Sequence, residues 1–166
     1  MRSRLAVLVS CAALTLVGCS APDGGPEVTF FADGEAVESG PLVHCDVLIR
    51  RCEQGGDPAK LRARAGRPVQ ISVPSEVSDA PWVVNVQYAD ANGEPRPVKQ
   101  EFFSPGTRHA YTATGDAPGD QLLVVEVQQL GAAYAADEDV NPLLDAAGNP
   151  QLVARAVWSL QLIPGA

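Results

Sequence analysis

Trp82-Val83-Val84-Asn85-Val86-Gln87-Tyr88 is the stretch on which the fold turns. Trp82, Val84, Val86 and Tyr88 recur at every second residue, the period that puts side chains on one side of an extended chain. Asn85 and Gln87 fall on the other side, so this is a half-buried strand. The same test picks out three further segments: Val69–Val73 with Val69, Ile71 and Val73 inward, Leu122–Gln129 with Leu123, Val125 and Val127, and Arg155–Ile163 with Trp158 and Leu160, which Leu162 continues. Gln70, Ser72, Glu126, Gln128, Arg155, Ser159 and Gln161 fall on the solvated backs. Weaker candidates are Val28–Phe31, Ala59–Ala65, Val98–Phe103 and Arg108–Thr114. Asp90-Ala91-Asn92-Gly93 supplies turn chemistry after the Trp82 strand, and no long run of period 3.6 with caps occurs. Strands with one apolar face each build antiparallel sheets that bury those faces against one another. The expectation is an all-β, immunoglobulin-like antiparallel β-sandwich of about seven or eight strands. It lacks the widely spaced Cys-Trp-Cys signature, because Cys45 and Cys52 are close neighbours in sequence.

At 166 residues, 46% hydrophobic and 19% charged, the chain suits one globular domain and not a disordered or coiled-coil one. A formal net charge of −8 argues against a general nucleic-acid binder, which needs a basic face to draw in phosphate.

The amino terminus reads as an export signal. Basic Met1-Arg2-Ser3-Arg4 precedes a charge-free run from Leu5 to Val17, too short to span a bilayer, and Leu16-Val17-Gly18-Cys19 resembles a bacterial lipobox. Residues 1–18 are therefore expected to be a lipoprotein signal peptide, Cys19 the lipidated residue, 19–26 a tether rich in Gly and Pro, and 27–166 the sandwich domain. Processing would remove Arg2 and Arg4 and take the side-chain charge from −8 to −10. It would also remove Cys11 and occupy Cys19, leaving Cys45 and Cys52 as an even pair outside the cytoplasm, hence a disulfide. The six residues Asp46–Arg51 between them are not the two of a redox motif.

Several of these features together resemble a family of actinobacterial envelope lipoproteins, domain of unknown function 2771. They are the lipobox, Val28 with Asp33-Gly34, Pro41 with Cys45-Asp46-Val47 and Cys52, Val69-Gln70-Ile71-Ser72-Val73-Pro74, Pro81-Trp82, Val125-Glu126-Val127-Gln128 and Trp158. The resemblance runs over nearly the whole chain. It implies an envelope address in a high-GC Gram-positive bacterium and brings no active site.

No set of side chains declares a reaction. There is no Gly-x-Ser-x-Gly elbow and no glycine-rich phosphate loop, and His44 and His109 lie on separate segments without zinc-type spacing. Asp137, Asp139 and Asn141 copy the opening ligands of an EF-hand loop, but Pro142 stands at the required glycine and Gly148 at the required glutamate. No catalytic residue, cofactor or metal is expected. Two charged patches remain as candidate interaction surfaces. Lys60, Arg62 and Arg64 alternate with Leu61, Ala63 and Ala65, either as a contact face or as cations guarding an edge strand. Asp137, Glu138 and Asp139 sit within Gly131–Pro150, which reads as a long loop or a short Ala-rich helical turn.

The expected role is a non-enzymatic interaction module on the extracytoplasmic face of the cell membrane. It would be held there by the Cys19 lipid and would contact an envelope protein or glycan. The alternative is a carrier with an apolar or lipid ligand between splayed sheets. Trp82, Val84, Val86, Val125, Val127, Trp158 and Leu160 should fill a common core in the first case.

Overall fold

The computed structural model describes residues 25–144 and 148–165. The expected signal peptide, Cys19 and most of the expected tether lie outside them. Eleven strands are described: β1 (Val28–Ala32), β2 (Glu35–Ser39), β3 (Val43–Cys45), β4 (Cys52–Gln54), β5 (Ala59–Ala63), β6 (Val69–Ser72), β7 (Trp82–Ala89), β8 (Lys99–Phe103), β9 (Ala110–Ala113), β10 (Gln121–Tyr134) and β11 (Leu152–Pro164). One short helix, α1 (Ser75–Ser78), precedes β7.

Two sheets face one another. The smaller runs β2-β1-β6-β9, and the larger runs β4-β3-β11-β10-β7-β8 with β5 added beside β11. All pairings are antiparallel except β5 with β11, which run parallel from Ala59 opposite Leu160 to Ala63 opposite Pro164. Without the inserted β2, β3 and β4, the order β1-β6-β9 facing β8-β7-β10-β11 is that of the immunoglobulin-type sandwich. The insertions account for a strand count above the seven or eight expected.

The alternating apolar faces meet between the sheets. Trp82, Val84, Val125, Val127, Trp158 and Leu160 are wholly buried and Val86 is 1% exposed, all within one cluster that also takes in Val28, Phe30 and Ile71 of the opposite sheet. Trp82 stacks on Phe103 with ring centroids 4.1 Å apart and planes inclined by 24°, an aromatic contact that adds to simple area burial. Trp158 Nε1 donates to the Pro26 carbonyl at 2.8 Å, so the residues read as the end of the tether lie against the body. The β1–β2 hairpin closes through Asp33 (φ 48°) and Gly34 (φ 95°), positive φ at both central positions as a type I′ turn requires.

Three expectations need correction. Leu122, not Leu123, faces the core at 2% exposure, because a bulge between Leu122 and Val124 shifts the register of β10 against β7 and with it the sidedness. Ser159, expected on a solvated back, is 6% exposed, being a small side chain on a central strand. The described residues of the expected loop, 131–144 and 148–150, are neither plain loop nor helix. β10 continues to Tyr134, and the bridges Ala136 to Pro142 and Leu144 to Pro150 carry the hairpin on as an irregular ribbon.

Candidate contact surfaces

β5 is an edge strand in which Leu61 and Ala63 point into the core while Lys60 and Arg62 stay exposed. Arg64 and Ala65 lie past its end, and Ala65 is exposed, not part of the inward row. Arg64 is committed to the fold: its Nε and Nη2 donate to the Asp33 carboxylate at 2.7 and 2.6 Å, and Arg67 Nε approaches at 3.4 Å. The stripe of three cations is thus two exposed cations, without an ion-pair partner among the described residues, and one clamp joining the end of β5 to the β1–β2 turn.

The bidentate Arg64 fork holds the Asp33 carboxyl well below the usual carboxylate range. A carboxyl depressed in the fold adds stability above its ordinary value near about 3.9, and that stability is lost as pH falls through the folded value. Asp33→Asn should therefore lower the melting temperature at neutral pH, without new strain because Asn tolerates the left-handed backbone. The gap to wild type should narrow as thermal unfolding is followed down to about pH 2; a gap constant across that range would contradict the assignment.

The acidic patch lies elsewhere. Lys60 is opposite Gln161, whereas the ribbon carrying Asp137, Glu138 and Asp139 begins beyond the Tyr134–Leu152 pair, nine residues up β11 and roughly 30 Å away at strand rise. The two patches do not form one surface. Asp137 Oδ1 accepts from the backbone N–H groups of Asp139 at 3.0 Å and Asn141 at 2.8 Å, which lowers its pKa and shapes the turn. No group of three His, Cys, Asp or Glu placed to hold a metal occurs among the described residues.

One dyad was not legible in the sequence: Ser78 Oγ lies 2.8 Å from His109 Nδ1. Ser78 is wholly buried, so a substrate could not reach its hydroxyl, and the pair ties α1 to the segment entering β9. Gln129, 1% exposed, likewise serves α1 by donating through Nε2 to the carbonyls of Glu76 and Val77.

The most differentiated region is the β3–β4 hairpin. Cys45 and Cys52 are cross-strand partners with Cα atoms 4.0 Å apart and form the expected disulfide. Within the closed loop, Asp46 accepts from the N–H groups of Leu48 and Arg50. Ile49 adopts φ 55°, unusual for a β-branched residue, and packs over Gly131, where a Cβ would come within 2.7 Å of its Cδ1. The loop thereby turns Val47 and Leu48 outward at 64% and 61% exposure. A mainly apolar surface cleft of about 400 Å³ lies against Val47, Pro81, Leu130 and Arg155. Another of about 320 Å³, lined by His44, Glu53 and Asp57 among others, lies along the same hairpin. Both open to solvent at the surface. No helix among the described residues is long and apolar enough to cross a membrane.

The geometry defines a β-sandwich with a filled interior and a disulfide-closed hairpin inserted ahead of its parallel edge strand. The chain belongs to the family described as Protein of unknown function (DUF2771), whose model matches residues 21–163. Uncharacterized proteins of Mycobacterium bovis and Mycobacterium tuberculosis are 30% identical over 140 residues, covering 83% of this chain and 78% of theirs. No solved structure matches.

Proposed function

We propose that the chain is a lipid-anchored, extracytoplasmic interaction module of the cell envelope that works through its surface and not through catalysis. The observation that carries this reading is the filled interior. With Trp82 and Trp158 wholly buried in one cluster that spans both sheets, a partner is met on the outside. A carrier would hold its ligand in an apolar cavity between the sheets, and the clefts described above open at the surface instead. The anchor and the envelope address rest on the charge-free run ending in Leu16-Val17-Gly18-Cys19, and family relatives in Mycobacterium support an actinobacterial source. Cells expressing the chain and fed an alkyne-tagged fatty acid should incorporate the tag into the mature protein and lose it in Cys19→Ala. Absence of the tag from wild type, or its persistence in Cys19→Ala, would contradict the anchor.

A further inference from the structure

We propose that the β3–β4 tip is a membrane-docking element that seats the domain on an anionic lipid bilayer, an inference that rests on the anchored reading above. Val47 and Leu48, each more than 60% exposed, project from a short loop closed by the Cys45–Cys52 disulfide. Arg50 and Arg51 follow directly; the Arg51 side chain is 91% exposed and its Nε reaches Asp46 at 3.5 Å, so the loop from Asp46 to Arg51 carries two guanidinium groups against one carboxylate, and Arg155 lines the cleft behind Val47 together with Asp79. Exposed aliphatic side chains beside guanidinium groups match the interface of such a bilayer, where apolar groups enter the acyl boundary and cations meet phosphates. The excess of one positive charge over residues 46–51 runs against the chain's overall charge of −8. The loop is held by its disulfide and by Ile49 over Gly131, so docking orders little that is not already ordered.

The anchor comes from the same quarter of the molecule. A side chain at Gly25 would meet the His44 ring at 3.2 Å, so the chain leaves the body beside β3. Cys19 is six residues further out, a reach of at most about 20 Å, while Val47 is three residues from His44, about 10 Å. Anchor and tip can therefore meet one surface. The β10–β11 ribbon also exposes apolar side chains, Tyr134 at 59% and Val140 at 82%, but Glu138 and Asp139 beside Val140 would be repelled by anionic lipid. Charge selects the β3–β4 tip.

The test places a tryptophan at the tip of the mature protein, purified from expressing cells and reconstituted into vesicles of phosphatidylglycerol and brominated phosphatidylcholine. Trp82 and Trp158, wholly buried, give a constant background. Leu48→Trp should emit at shorter wavelength and be quenched by the brominated lipid. Phe31→Trp, on the outer face of the smaller sheet, should do neither. Arg50→Ala and Arg51→Ala should each lower the ratio of docked to undocked protein about fivefold, an effect absent from vesicles of phosphatidylcholine alone. Unquenched Leu48→Trp, or quenching at Phe31→Trp instead, would overturn the proposal while leaving the anchor intact. Quenching at Leu48→Trp in protein whose mass shows no lipid would remove the anchor and keep the docking surface.

Discussion

Replacing Trp158 with Ala is expected to cost about 3 to 5 kcal/mol of stability, the range for large aromatic truncations in a packed core. Trp158 is wholly buried, opposite Val127 of β10 on a strand that pairs with β10 on one side and with β3 and β5 on the other. A void there would touch the middle of the larger sheet, and neighbours held in ladders on both sides have little freedom to collapse into it. The substitution also removes the donor to the Pro26 carbonyl. Trp158→Phe separates the effects: it keeps most of the apolar volume and should lose about 1 kcal/mol for the hydrogen bond, plus a smaller packing loss. Chemical denaturation of the three proteins reads both differences. If Trp158 instead lined a ligand site, the Ala variant would keep its stability and lose a bound lipid.

Removal of the disulfide has the next largest expected effect. In the chain-entropy account, closing a loop as short as the one between Cys45 and Cys52 is worth about 2 to 3 kcal/mol. β3 and β4 have three residues each, too few to hold a hairpin against solvent unaided, and the exposed β4 adds little burial. The Cys45→Ser/Cys52→Ser variant should therefore melt earlier and become protease-sensitive first between Asp46 and Arg51. Unchanged stability, or alkylation of both cysteines in the folded, unreduced protein, would contradict the assignment.

The strands that form the centre of the fold were legible because each presents an alternating apolar row to a single core: β6 alternates residue by residue, and β7 and β11 keep their apolar rows buried although Val83 and Ser159 on the opposite faces are buried as well. β10 follows it only beyond its bulge, since one extra residue inverts the sidedness of everything before it. β2 escaped because Val37 is its only large apolar side chain; the signal that could have found it was Asp33-Gly34, a turn pair with its own hairpin meaning. The disulfide was legible from cysteine arithmetic. The docking tip was not, because Val47 and Leu48 look like any apolar dipeptide until the closed loop turns them outward. Arg64 shows the converse: its spacing placed it in an exposed stripe, while the partner that removes it, Asp33, is 31 residues away.

The central claim is that lipid holds this protein from outside, at Cys19, and not within its sheets. The most direct measurement is the native mass of the protein extracted from its own membranes into detergent. The account predicts a polypeptide beginning at an acylated Cys19, with no further lipid bound in stoichiometric amount. An unmodified amino terminus, or a second lipid retained at one per chain and lost in Trp158→Ala, would contradict it.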